Sequence, residues 1–242
     1  MKKLSLPNNI AQTLNQIYKS LSPLSVFVYG SRAIGDFVKE SDWEVGVVFN
    51  ESNYTSRSSL SKLHSVKDLS LFPFKYEELV AGTIDTPWPK NIYLRELVSS
   101  AKTLFGDEII ENLPPPKITV FDLLQAIRFE LGIAIAAAPI SYRNGDIKGA
   151  GKSFYWSCLY GTRCLEILDL NIFPIGFKKI YDLSKKLSLG EYVDLPIKAF
   201  NVRNGVCLDE EVLYRNISYL NKLIEEKLLA VYKKEGNLIL IK

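Results

Sequence analysis

One histidine in 242 residues, His64, is the sharpest constraint that this sequence imposes. Zinc sites built on several imidazoles, HExxH-type hydrolysis and paired-histidine phosphotransfer all need more of them than the chain carries. His64 sits in a Ser/Lys-rich stretch with no nucleophile signature beside it, so it reads as a surface residue and not as half of a Ser–His or Cys–His pair. Cysteine is scarce too. Cys158, Cys164 and Cys207 form no CxxC pair, and an odd thiol suits a reducing compartment better than a disulfide framework. Long apolar runs are missing as well. The longest candidate, Leu131 to Ile140, contains Gly132 and is broken by Pro139, short of the roughly 20 residues a membrane helix needs, so a soluble protein with no membrane partner is expected. The start, Met-Lys-Lys-Leu-Ser-Leu-Pro-Asn-Asn, has the basic residues of a signal peptide without its apolar core, and a cytoplasmic location is the expectation. A net charge of +3 is too mild to argue nucleic-acid binding.

What remains is ordinary globular composition, 47% hydrophobic and 24% charged, enough for one large domain or two small ones. The run Pro114-Pro115-Pro116 favours an extended connection and divides the chain. Residues 1–116 carry 12 Lys+Arg against 13 Asp+Glu, and residues 117–242 carry 18 against 14, so the basic excess belongs to the second half and suits a triphosphate or another anionic partner. Before the prolines, apolar spacing predicts a helix over Asn8–Leu21, a strand over Leu24–Tyr29, a turn and short helix over Ser31–Lys39, and a buried strand over Trp43–Phe49. A helix over Ser58–Ser65, a third strand over Asp68–Phe74, a short helix Tyr76–Ala81 closed by Gly82, and a helix Ile92–Leu104 stopped by Gly106 complete this half. After the prolines the pattern is helical. Thr119-Val-Phe-Asp122 has the form of a capping box opening a helix through Ile135; further helices span Asp146–Leu170, Gly176–Leu187 and Asp209–Leu228, and Asn237–Ile241 reads as a terminal strand. The expected fold is therefore an α/β (α+β) domain with a small mixed sheet over 1–113, followed by an all-α helical bundle over 117–242.

The chemistry concentrates in Val26-Phe-Val-Tyr-Gly-Ser-Arg-Ala-Ile-Gly-Asp-Phe-Val-Lys-Glu-Ser-Asp-Trp-Glu-Val-Gly-Val-Val-Phe49. A strand ends at Gly30-Ser31, where a residue without a side chain lets the backbone turn tightly and offers amides and a hydroxyl to an anion. Ten residues further on, Asp42 and Glu44 stand two positions apart on the next strand, so both carboxylates share a face. Two like charges there call for a cation, and carboxylate oxygens without histidine or thiolate select Mg2+ or Mn2+.

Tyr29-Gly30-Ser31, ten residues, then Asp42-Trp43-Glu44-Val45 resembles the nucleotidyltransferase motif of the DNA polymerase β superfamily. The whole chain is similar to the two-domain, streptomycin-type aminoglycoside adenylyltransferases, most clearly over its first half; Glu44 stands where aspartate is more usual, and Trp43 is bulky for its slot. That resemblance implies an Mg-dependent enzyme moving NMP, with AMP from ATP the expected case, onto a hydroxyl of a small molecule, a protein side chain or an RNA end. It implies catalytic and metal-binding roles for Asp42, Glu44 and Asp68, with Asp68 completing the metal site or taking the acceptor's proton, and nucleotide-binding roles for Gly30, Ser31 and Arg32. Asp85, ahead of a Pro-Trp-Pro turn, is the rival third carboxylate. Lys152, Trp156, Tyr160 and Arg163 recur at spacings of four, four and three along one helix, and Lys152 is the expected phosphate contact from that half. A helical ribonuclease partner of toxin–antitoxin nucleotidyltransferases is excluded, because its Arg-x4–6-His motif cannot be built from His64. The competing reading is a non-catalytic or regulatory protein that keeps the fold and nucleotide binding.

Overall fold

The computed structural model describes residues 5–242. It divides into two compact units, one of residues up to Pro87 with Tyr93–Pro116, the other of Trp88–Ile92 with Lys117–Lys242. The proline run ends the first unit, but the short segment Trp88–Ile92 groups with the helices that follow it, which the proline boundary alone does not announce.

In the first unit, α1 (Asn8–Leu21) leads into β1 (Ser25–Tyr29), α2 (Gly30–Ile34), β2 (Trp43–Phe49), α3 (Arg57–Leu63), β3 (Leu69–Lys75) and α4 (Tyr76–Ala81). Helix α5 (Lys90–Ser100), which belongs to this unit from Tyr93 on, and β4 (Lys102–Gly106) follow. The sheet is mixed, in the order β3-β2-β1-β4, with β1 antiparallel to both neighbours and β2 parallel to β3. Strand alternation sorts its two faces. Val26, Val28, Trp43, Val45, Val47 and Leu71 pack on Ile10, Leu14 and Ile17 of α1. Phe27, Tyr29, Val48 and Phe74 pack on Leu79 of α4 and on Leu94 and Leu97 of α5. Gly46 is required here, since a Cβ would run into the Phe27 ring opposite it.

One expected element is different. The helix ends at Ser100 instead of Leu104, and Lys102–Gly106 forms β4 on the free edge of β1. Leu97 and Ala101 continue a helical spacing, but the unpaired backbone groups of β1 gain a ladder from an extended partner, and that requirement outweighs local periodicity.

The second unit is helical around α8 (Ile147–Leu170), as expected. The Thr119–Asp122 capping box forms in full and opens α6 (Val120–Gly132). A π-helical turn, Ile133–Ala137, then carries the helix into α7 (Ala138–Arg143) instead of stopping it. The wide turn takes up the backbone just ahead of Pro139, whose missing N–H would break an ordinary α ladder. By length and composition the 24-residue segment Val120–Arg143, which contains an 18-residue window of mean hydropathy 1.5, could cross a membrane, contrary to the expectation from the shorter apolar run. Half of that window is buried, with Leu123, Leu124, Ile127, Leu131 and Ala134 in the core, as in a core helix of a globular unit. Helices α9 (Phe177–Ser184), α10 (Leu195–Arg203), α11 (Glu210–Ser218) and α12 (Glu226–Glu235) complete the bundle, α11 and α12 joined by a second π segment, Tyr219–Glu225. A two-stranded ribbon of β5 (Ile118–Thr119) and β6 (Ile239–Ile241) closes it. Two buried polar pairs link its helical segments: Thr162 Oγ1 with the Tyr219 hydroxyl at 2.9 Å, and Asn216 Nδ2 donating to Ser157 Oγ at 2.9 Å.

Candidate active site

The chain leaves β1 through a sharp turn. Tyr29 is extended, Gly30 has φ +70°, and α2 begins at once. A Cβ on Gly30 would strike the Glu44 carboxylate oxygen Oε2, so glycine is dictated both by the left-handed backbone and by the close approach of that acid. The Gly30 N–H points to Ser100 Oγ at 3.5 Å, and the Ser31 carbonyl accepts from the N–H groups of Gly35 and Asp36.

Asp42 immediately precedes β2 and Glu44 is its second residue. Glu44 lies opposite Tyr29 of β1 on one side and Ser70 of β3 on the other. Alternation puts Asp42, Glu44, Tyr29 and Ser70 on the face that carries α4 and α5, and Ser70 Oγ donates a hydrogen bond to Asp42 Oδ2. Asp42 is exposed and Glu44 half-buried. Behind them the Tyr29 and Tyr93 hydroxyls meet at 3.3 Å. Burial, reinforced by Tyr93 and the Glu44 charge, holds the Tyr29 phenol well above its ordinary pKa, and burial pushes Tyr93 up to about 12. Both phenols therefore stay protonated at neutral pH and serve as donors, not bases. The Arg57 guanidinium stacks on Phe72 at 4.2 Å and opposes the rise at both phenols, which brings a cation close to the acid pair.

Gly30, Ser31, Asp42 and Glu44 thus come together as the motif suggests, but Asp68, Asp85 and Arg32 of the same unit do not join them. Asp68 is the main correction. It precedes β3 with φ +62°, its carbonyl accepts the Trp43 N–H at 2.8 Å, and it lines a cavity on the Trp43 face of the sheet. The left-handed backbone breaks the alternation that would otherwise set it beside Asp42; the position opposite Glu44 belongs to Ser70. Asp85 is exposed in the α4–α5 connection. Among the described residues, no group of three or more His, Cys, Asp or Glu side chains is arranged to hold a metal ion, so two carboxylates remain where three were expected.

Arg32 is engaged elsewhere. Its Nε and Nη2 donate to the Ser41 carbonyl at 3.1 and 2.7 Å, and its guanidinium lies 4.3 Å from the Phe37 ring, a brace that holds the backbone just before Asp42. Lys152, on α8 of the other unit, sets its ammonium 5.1 Å from the Trp156 ring. Trp156 continues the ladder to Tyr160, and Arg163 caps Tyr160 at 4.4 Å, so the expected shared helix face exists. Ser70, Tyr93 and Arg57 are not singled out by the sequence, and Tyr29 enters it only as the apolar residue of the motif. Ser70 had a signal: it is the polar residue at every-second-position register with Phe72 and Phe74 in Leu-Ser-Leu-Phe-Pro-Phe-Lys75.

No protein-family model matches the sequence. No curated protein matches it significantly. Solved structures do. Spectinomycin adenyltransferase AAD(9) from Enterococcus faecialis, with ATP and spectinomycin, superposes with a TM-score of 0.59 at 15% identity over 88% of this chain and 96% of that one. A nucleotidyltransferase-like protein from Exiguobacterium sibiricum aligns over 94% of this chain and 77% of its own at 13% identity and a TM-score of 0.32. With its mixed sheet and its helical second unit, the chain shares the fold of the spectinomycin enzyme.

Proposed function

We propose that the protein is a metal-dependent nucleotidyltransferase that moves NMP, from ATP by preference, to a hydroxyl of an acceptor of small-molecule size. The observation that supports this most is the contact of Glu44 with the Gly30 turn, next to Asp42 on the same strand face. An anion-binding turn and a pair of hard oxygen donors are thereby neighbours, the arrangement that a polyphosphate with its counter-ion needs. Asp42 and Glu44 fit Mg2+ or Mn2+; such an ion, when bound, supplies neutralisation of phosphate charge. Gly30 and Ser31 offer backbone and hydroxyl donors to the terminal phosphates. Arg32 holds Ser41, and through it the approach to Asp42, and so acts as a positioning residue. Tyr29 and Tyr93 keep water from the inner side of Glu44. AAD(9) was crystallised with ATP and spectinomycin, which supports ATP as donor and a small hydroxyl-bearing acceptor here.

A second reading, nucleotide binding without transfer, is favoured by one specific observation: Ser70, not a carboxylate, stands beside the acid pair. Incubation with Mg2+ and ATP labelled at the α-phosphate, against a panel of hydroxyl-bearing metabolites and spectinomycin, separates the two. Label transferred by the parent and not by Asp42→Asn supports the enzyme. Mg-ATP binding that depends on Asp42, with no label moved to any acceptor, supports the second reading. Mg-ATP binding that ignores Asp42 and Glu44 contradicts both.

A further inference from the structure

The sheet face opposite the acid pair holds a cavity of about 590 Å³, within the usual size of small-molecule sites. All its walls come from the first unit: α1 and the residues before it, α2, the start of β2, Lys67-Asp68 and the start of β4. Trp43 separates it from the carboxylates, since Trp43 and its neighbours Asp42 and Glu44 alternate across the strand.

Its lining is unusual in charge. Arg32, Lys67 and Lys102 face one acid, Asp68. Among the described residues neither the Lys67 ammonium nor the Asp68 carboxylate has a hydrogen-bond or ion-pair partner, although they are adjacent in the chain. Lys102 gives one of its donors to the Ala33 carbonyl, and Arg32 commits Nε and Nη2 to Ser41, which leaves Nη1 and two ammonium donors of Lys102 over. Beside these cations lie apolar surfaces, the half-exposed Phe37 ring, Trp43 and Ile34. A surplus of unpaired cations next to aromatic walls is a recognition site for an anion carried on a ring, and the lone Asp68 carboxylate is an acceptor for a hydroxyl or N–H on that ring.

We propose that this cavity is a second ligand site, for a small aromatic anion, carboxylate or phosphate, bearing a hydrogen-bond donor. The site stands independently of nucleotidyl transfer, because none of its argument uses the acid pair.

Calorimetric titration with 6-hydroxy-2-naphthoate and with 2-naphthyl phosphate tests it on the full chain. One equivalent of at least one probe is expected to bind saturably, and which probe binds more tightly identifies the preferred head group. Lys67→Glu, at an exposed position, is expected to weaken that binding about tenfold or more, and Lys67→Gln by less, while Glu44→Gln leaves it unchanged. Binding of both probes to Lys67→Glu as tight as to the parent overturns the proposal. So does an equal loss in Glu44→Gln, which moves the probe to the acid pair, and so does the absence of saturable binding by either probe.

Discussion

Two glutamates in this chain have opposite surroundings. Glu44 is half-buried against a glycine turn, paired with an exposed acid and ringed by hydroxyls. Glu166, on α8, is fully buried, and neither of its carboxylate oxygens has a hydrogen-bond partner. Burial pushes the Glu166 carboxyl up to about 9, with Arg163 and Lys179 only partly opposing it. Glu166 is thus a neutral acid at pH 7, a cost of packing the helical unit, whereas Glu44 lies where a charge can be used. The residue type is the same; access and neighbours decide which one can do chemistry.

The largest effect expected from breaking this contrast is at the acid pair. Asp42→Asn and Glu44→Gln should each lower turnover by roughly 10³-fold or more while melting temperature without nucleotide stays level or rises slightly, because they remove ion ligands and like-charge repulsion and leave the core alone. Rate assays with melting curves on the same samples check this. Next comes Gly30→Ala, which should lose nucleotide binding and destabilise the unit together, since the added methyl meets both a left-handed backbone and the Glu44 carboxylate. Chemical denaturation and nucleotide titration read the two losses.

Glu166 supplies a prediction at the opposite pole. Its folded pKa lies above the unfolded value of 4.5, so the folded chain holds a proton that the unfolded one has released. Stability from this group is complete below about pH 4.5, declines as pH rises, and is lost once pH passes about 9. Glu166→Gln should remove that decline, matching the parent at low pH and melting higher by ~4 °C or more at pH 8. A scan of melting temperature against pH for the two proteins checks the sign. The smallest expected change is at Ser70→Ala, which deletes the hydroxyl that fixes Asp42 and should weaken Mg-ATP binding or turnover only about fivefold.

The sequence made the first unit legible because its signals are local. Gly30-Ser31 at a strand end and Asp42-x-Glu44 on the next strand need only alternation and turn chemistry to be placed, and Asn8–Leu21, Trp43–Phe49 and Tyr76–Ala81 follow from spacing and caps. The misplaced residues all depend on long-range pairing. Asp68 stands at the head of an apolar strand, but its face is set by a left-handed φ and by the β2–β3 register, neither of which is written locally. Lys102–Leu104 reads as the end of a helix until the open edge of β1 is taken into account. Arg32 sits in the motif beside the Gly30 turn, yet its hydrogen bonds run to Ser41, nine residues on.

The central claim is that Asp42 and Glu44, against the Gly30 turn, form the binding site for a metal-bound nucleoside triphosphate. Thermal shift with and without saturating Mg-ATP, on the parent and on the Asp42→Asn/Glu44→Gln double variant, tests it most directly. The account predicts clear stabilisation of the parent and none of the variant. Equal shifts in both would contradict it.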